Sequence, residues 1–282
     1  MPSFHAHGKL LITAEYLVLL GARALAIPTQ RGQRMSVTPR DAGGTEWLAR
    51  DHRGHVRFHG YLGQGHADLA FAEQLVQAAN GNNAYPNALV ETDLEFAAEW
   101  GWGSSSSLTA LVAAWQQVDP MALHHSVSQG SGFDVACAHA SGPIVYQRER
   151  PVQSVDLNAW PTDHIRFMYL GQKQDSQKEV AKFANRDIAN GVIERMNALT
   201  DAFIQAKSAP ELMKLMNAHE SLMSDVLSQP TIKEQLFRDS AFAFKSLGAW
   251  GGDFVMVVAE DPSEFGYLNK SNRLLLSWAE IF

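Results

Sequence analysis

Cysteine occurs once in 282 residues, at Cys137. An internal disulfide is therefore impossible, and zinc sites built from several thiolates are excluded; a reducing cytoplasm suits such a chain best. Long apolar runs are also missing, since none approaches the ~20 residues that a membrane-spanning helix needs. The segment "LLITAEYLVLLGARALA", Leu10 to Ala26, follows a lysine and precedes small residues in the manner of a secretory leader. Glu15 and Arg23 interrupt it, however, and the apolar part of a leader carries no charge. A soluble cytoplasmic protein without a membrane partner is expected. Lysine and arginine form no run beyond scattered pairs, and the formal charge is -7 with a pI near 5.9. That balance argues against nucleic acid as a partner and points to small molecules. Solenoid-period repeats and low-complexity tracts are absent as well.

What is present suffices for a full core: 46% of the residues are hydrophobic, and the length suits one large domain or two ordinary ones. "RMSVTP", "TEWLA" and "HVRFHG" between residues 34 and 60 read as short strands, the last two joined by the turn-rich "RDHRG". Residues 67 to 80 place Leu69, Ala72, Leu75, Val76 and Ala79 at helical spacing, with Gly81 as the cap. "NALVETDLEF" alternates imperfectly and reads as a strand. Strands "PIVYQ", "PVQSVDL" and "IRFMYLG" follow, separated by Pro151 and Pro161. From residue 175 the composition turns to helix formers, in stretches from Asp175, from Ala209 and from Thr231 to Ser246; Pro210 and Pro230 stand at helix starts. A glycine loop then runs into the apolar strand "DFVMVVAE", and "NRLLLSW" supplies a last one. Strands and helices mixed without regular alternation imply an α+β protein in two lobes, residues 1–150 and 151–282.

Three stretches carry chemistry. "EWGWGSSSSLTA", from Glu99 to Ala110, sits between a strand and a helix bearing Leu108, Leu111, Val112 and Trp115 on one face. The free N–H groups and dipole of a helix N-terminus favour an anion such as phosphate, and Gly101 and Gly103 permit close approach. An ordinary capped helix is the bland alternative. The loop is not a Walker A motif, because no lysine follows its glycines. In "QGSGFDVACAHASG" Asp134 stands at a helix start, either as an N-cap or as a carboxylate aimed into a cleft. In "SLGAWGGDFVMVVAE" the glycines precede a buried strand and mark either a bulge or close approach to a ligand. A G-x-S-x-G elbow is lacking, which removes the serine-hydrolase reading despite four consecutive serines. The pairs His124-His125 and His5 with His7 receive no role.

Together with the N-terminal "HAHGKLLITAEYLVLLGARALAIP", these stretches resemble in order the motifs of the GHMP kinase superfamily: "PGKxxLxGEHxVLxG", "GLGSSAA", "SGxDxA" and "GAGGG". The matching segments are Gly8-Lys9 through Glu15 to Gly21, Gly101 to Ser107, Ser131 to Ala136, and Gly248 to Gly252. The resemblance implies a two-lobed α+β fold, with an N-terminal lobe like domain 2 of ribosomal protein S5 and a ferredoxin-like C-terminal lobe. It also implies transfer of the γ-phosphoryl group of ATP to an alcohol, with ATP and Mg²⁺ as cofactors. Gly101, Trp102, Gly103 and Ser104 to Ser107 would cradle the triphosphate. Ser105 would meet Mg²⁺, with Ser104 and Ser106 as alternatives. Asp134 would be the catalytic aspartate, and Lys9 would keep it ionised and stabilise the developing alkoxide. Glu15, Tyr16, Gly251 and Gly252 would face the substrate.

The departures are equally specific. Ala14 and Tyr16 replace a glycine and a histidine of the first motif, Trp102 and Ser106-Ser107 replace Leu and Ala-Ala, and Trp250 and Asp253 alter the last motif. The acid that completes the Mg²⁺ site in many members is missing between residues 120 and 130, where Asp119 is the nearest candidate. Glu95 and Glu99 are read as outward or structural, since acids beside a triphosphate would repel it. Basic residues near the motifs are only Lys9, Arg23, Arg31 and Arg34, which suits a small hydroxy acid such as mevalonate better than a phosphate ester. A phosphomevalonate kinase-like enzyme and a non-catalytic nucleotide-binding protein are the alternatives. "SGFDVACA" with "SLGAWGGDF" also resembles a bacterial subgroup named for a G-Y-D-I-A signature. A homodimer is the assembly considered.

Overall fold

The computed structural model describes residues 2–81, 84–171, 183, 186, 188–268 and 273–282. The chain forms two compact units that interleave in sequence. The first comprises Met1–Lys9, Pro28–Ala98 and Trp102–Ser141; the second comprises Leu10–Ile27, Glu99–Gly101 and Gly142–Phe282.

In the first unit, β1 (Ser3–Leu11) pairs with the long β2 (Ala24–Pro39), both of which continue into the second unit. β3 (Thr45–Arg50) and β4 (Val56–Tyr61) form the hairpin expected from the sequence, and α1 (Ala70–Ala79) follows. β5 (Ala88–Leu94) inserts between β3 and β2, parallel to the former and antiparallel to the latter. Its alternation is strict in space: Ala88, Val90, Thr92 and Leu94 are buried while Leu89, Glu91 and Asp93 are half-exposed, so one face of the sheet is the core face. On that face Val37, Trp47 and Val90 meet Leu75 and Val76 of α1, and Leu111 and Val112 of α2 (Ser104–Gln116). The short α3 (Pro120–Val127) and α4 (Phe133–Ala138) pack on α2.

In the second unit the start of β2 pairs with β6 (Ile144–Tyr146), which pairs with the two-residue β7 (Gln153–Ser154). A separate antiparallel sheet contains β8 (Ile165–Tyr169). Two long helices follow β8 in the chain, α5 (Val192–Gln205) and α6 (Ala209–Leu227), then the short α7 (Ile232–Leu236). β9 (Ala243–Leu247), β10 (Phe254–Val258) and β11 (Leu275–Ser277) complete the sheet in the order β11-β8-β10-β9. α6 lies on β9 and β10. The α+β class is as expected, but two boundaries are corrected. The helix begun at Thr231, with its side chain capping Glu234 N, ends at Leu236, and residues 243–247 are a strand. Every residue of that strand is buried, including Lys245, so "AFKSL" is a core strand whose polar members are bonded inside. The helix expected from Asp175 falls for its first part outside the described residues. No helix among the described residues is long and apolar enough to cross a membrane.

Candidate active site

The first unit brings together the serine loop, Lys9 and Asp134. β1 is stitched to the loop where the Lys9 N–H donates to the Trp102 carbonyl at 3.0 Å. Gly8 makes this approach possible, because a Cβ there would stand 2.5 Å from Thr29 Oγ1 and 3.1 Å from the Trp102 carbonyl oxygen. Gly103, at φ 82°, is the N-cap of α2 and supplies no side chain to cap it. The first N–H groups of the helix therefore face outward, and no acid lies in the first turn to oppose an anion. The Lys9 stem lies flat on Gly103, whose Cβ would come within 3.1 Å of Lys9 Cγ.

The four serines divide by environment. Ser105 is exposed, and its carbonyl accepts from the Thr109 hydroxyl at 3.0 Å. The Ser106 hydroxyl is 3.4 Å from Asp134 Oδ2, across from the start of α4. Ser107 is fully buried; its hydroxyl reaches Gln33 Oε1 and the Ser104 carbonyl, and its N–H donates to the Gly103 carbonyl. The Ser107 hydroxyl thus fastens the helix start to β2. Trp102 is interior too. Its side chain is 1% exposed and packs on Phe96 in the core, so only its backbone faces the loop.

Asp134 is the second residue of α4, after Gly132 at φ 87°. One carboxylate oxygen faces Ser106; the other, Oδ1, is buried without a hydrogen-bond partner. Buried carboxylate oxygens are nearly always satisfied, so Oδ1 is an acceptor open to a water or a ligand hydroxyl. The Lys9 ammonium lies 5.3 Å from the centre of the Phe133 ring. Cys137 sits below: burial first, then the Asp134 charge, push its thiol well above the ordinary range against the pull of Lys9, which leaves it an inert core residue. Asp119 is not spare for a metal, because it caps α3 by accepting from Ala122 N at 2.6 Å. Glu95 is structural, holding His5, Arg34 and the Gly32 N–H.

The second unit holds Glu15, Tyr16, Gly101, Gly251 and Gly252. Glu15 is 1% exposed: Lys245 Nζ donates to Oε1, while Oε2 has no hydrogen-bond partner and lies 3.0 Å from His219 Nε2, which itself accepts the Ala14 N–H. Burial works to raise its pKa, yet Lys245 and His219 outweigh it and hold the carboxyl below the usual range. Tyr16 is also interior, and its hydroxyl accepts the Trp250 N–H at 2.8 Å. Both side chains are interior, and they anchor the turn before Leu17–Leu20 to β9 and the glycine loop after it. Gly251 turns that loop at φ 75°, and the Gly252 N–H closes it on the Ala249 carbonyl. Gly101, at φ 71°, lies beneath Asp253, whose Oδ2 would be 2.1 Å from a Cβ there. Sequence reasoning did not single out Phe133, Lys245 or His219; the only signal for Lys245 was the Phe242-Phe244 alternation around it.

No protein-family model matches the sequence, and no curated protein does so significantly. Solved structures do match. Mevalonate kinase of Methanococcus jannaschii superposes with a TM-score of 0.73 at 14% identity, over 98% of this chain and 96% of that one. Phosphomevalonate kinase of Streptococcus pneumoniae, in complex with phosphomevalonate and AMPPNP, gives 0.73 at 17% identity over 96% and 95%. Lactococcus lactis galactokinase complexed with galactose gives 0.68 at 12% identity over 98% and 92%. The chain has the fold of these GHMP kinases along nearly its whole length.

Proposed function

We propose that this chain, built on the GHMP kinase fold, is an ATP-dependent phosphotransferase whose acceptor is the hydroxyl of a small hydroxy acid, mevalonate or a close analogue. The observation that carries the reading is the buried, unpartnered Oδ1 of Asp134 beside the uncapped start of α2. An acceptor hydroxyl donating to Oδ1 would satisfy that atom and deliver its proton there as the hydroxyl oxygen attacks the γ-phosphorus and ADP leaves. The α2 N–H groups, with the Ser104 and Ser106 hydroxyls nearby, would bind the triphosphate, and Lys9 would offset the charge that develops. No group of three His, Cys, Asp or Glu among the described residues could hold a metal. Mg²⁺ draws most of its ligands from phosphate and water, so the exposed Ser105 hydroxyl fits as its protein donor. Bound there, Mg²⁺ would neutralise the phosphate oxygens.

Two of the basic residues near the motifs are already committed, which supports a singly charged acceptor over a phosphate ester. Arg23 pairs with Asp201 and Arg34 with Glu95. The test is ADP release from ATP and Mg²⁺ with mevalonate, phosphomevalonate, homoserine and galactose as acceptors. Turnover with mevalonate is expected, falling about 10²-fold or more in Asp134→Asn and strongly in Lys9→Met. Undiminished turnover in Asp134→Asn would remove that carboxylate from the chemistry. Nucleotide binding with no turnover on any acceptor would favour a non-catalytic protein.

A further inference from the structure

Lys9 and Asp134 project from neighbouring elements of the first unit, yet they share no hydrogen bond: Ser106 meets one oxygen of Asp134 and the other has no partner. The Lys9 ammonium instead rests over Phe133, at 5.3 Å from the ring centre. Its path is fixed at three points. The backbone is bound to the Trp102 carbonyl, the stem lies on Gly103, and the head meets the ring. Phe133 and Asp134 are consecutive at the start of α4, so the ring and the carboxylate stand on adjoining residues of one rigid element. A lysine and a carboxylate left alone in a half-buried recess would close into a contact pair, and such a pair would take the very oxygen that an acceptor hydroxyl needs. An aromatic face attracts the ammonium without consuming an acceptor atom.

We propose that Phe133 is a positioning residue: its ring parks the Lys9 ammonium off Asp134, keeping Oδ1 open until the phosphates of the nucleotide draw the lysine away. This rests on the kinase reading of Lys9 and Asp134. Loss of the ring lets the ammonium fall onto Oδ1, and the acceptor must then displace it. Tyrosine keeps the aromatic face and leucine keeps only the packing.

The test combines spectroscopy with kinetics. Lysines are ¹³C-methylated and the Lys9 resonance is assigned by its loss in Lys9→Met. In the unmodified sequence it is displaced upfield by the ring current; Phe133→Tyr keeps the displacement, Phe133→Leu abolishes it, and AMPPNP with Mg²⁺ moves the native resonance toward the Phe133→Leu position. At limiting nucleotide and acceptor, Phe133→Leu lowers kcat/KM about two- to fivefold, the worth of one such contact, while kcat at saturation changes less and Phe133→Tyr stays near native in kcat/KM. A native resonance without ring-current displacement overturns the proposal, as does one that AMPPNP fails to move or a kcat/KM unaltered in Phe133→Leu. Failure of the kinase reading looks different: Lys9→Met and Asp134→Asn keep native turnover, or no acceptor turns over, while the ring-current signature stands or falls by itself.

Discussion

Replacing Lys245 by methionine isolates the most deeply buried charge in the second unit. Lys245 and Glu15 are 0% and 1% exposed, and the ammonium also donates to the Ser246 carbonyl at 2.8 Å. Methionine fills similar space but strands the Glu15 carboxylate, and removing one partner of such a pair costs about 3–5 kcal/mol. Against a typical total of about 5–15 kcal/mol that is a fifth or more of the stability. Two comparisons separate charge from packing. Glu15→Gln with Lys245→Met removes both charges and should recover most of the loss. His219 supplies the second comparison. Burial first and then Lys245 hold its pKa low, while Glu15 pulls the other way. Without Lys245 that opposition ends, so the imidazole can take up a proton and stand in for the ammonium, and the deficit should shrink from pH 8 to pH 6. Urea unfolding followed by the fluorescence of the seven tryptophans reads all of these. A single variant that loses under about 1 kcal/mol, or a double variant as damaged as the single, would refute the stranded-charge reasoning.

Glu220 predicts a slope of stability with pH. Burial raises its pKa from the ordinary 4.5 to about 7, so between those values the folded chain binds the extra proton and stability falls as pH rises. At about 1.4 kcal/mol per pH unit the fall is about 3 kcal/mol across that window, and Glu220→Gln should remove it in unfolding curves at pH 5, 6 and 7. Gly8→Ala drives a Cβ against Thr29 and the Trp102 carbonyl, and it should destabilise by about 1–3 kcal/mol in urea while weakening nucleotide binding measured by calorimetry.

The serine loop was legible because its glycines, its hydroxyls and the apolar face behind them are all local, and a strand-loop-helix unit needs nothing distant to form. Asp134 was legible as a helix-start carboxylate, but its orphaned Oδ1 depends on the packing of α4 against α2 and on no spacing in the chain. The burial of Glu15 and Tyr16 was not legible, because a motif carries types and order without direction of burial. Their partners, His219, Lys245 and the Trp250 N–H, come from far along the sequence. Lys245 itself was hidden inside a run of helix formers, where a charged residue looks like a solvent face; only the partner carboxylate makes a buried lysine in β9 tolerable.

The interleaving of the two units sets an order on synthesis. The first unit has all its residues once Ser141 has been made, but Glu15 waits for a lysine 230 positions later and Ala14 for a histidine 205 positions later. At about 5–20 residues per second, the ribosome needs about 5–20 s more to reach Lys245 after the first unit is complete. Throughout that interval residues 10–27 are an apolar tether with an unmatched acid, available to chaperones and proteases. No fragment that stops short of residue 245 can give that acid its lysine.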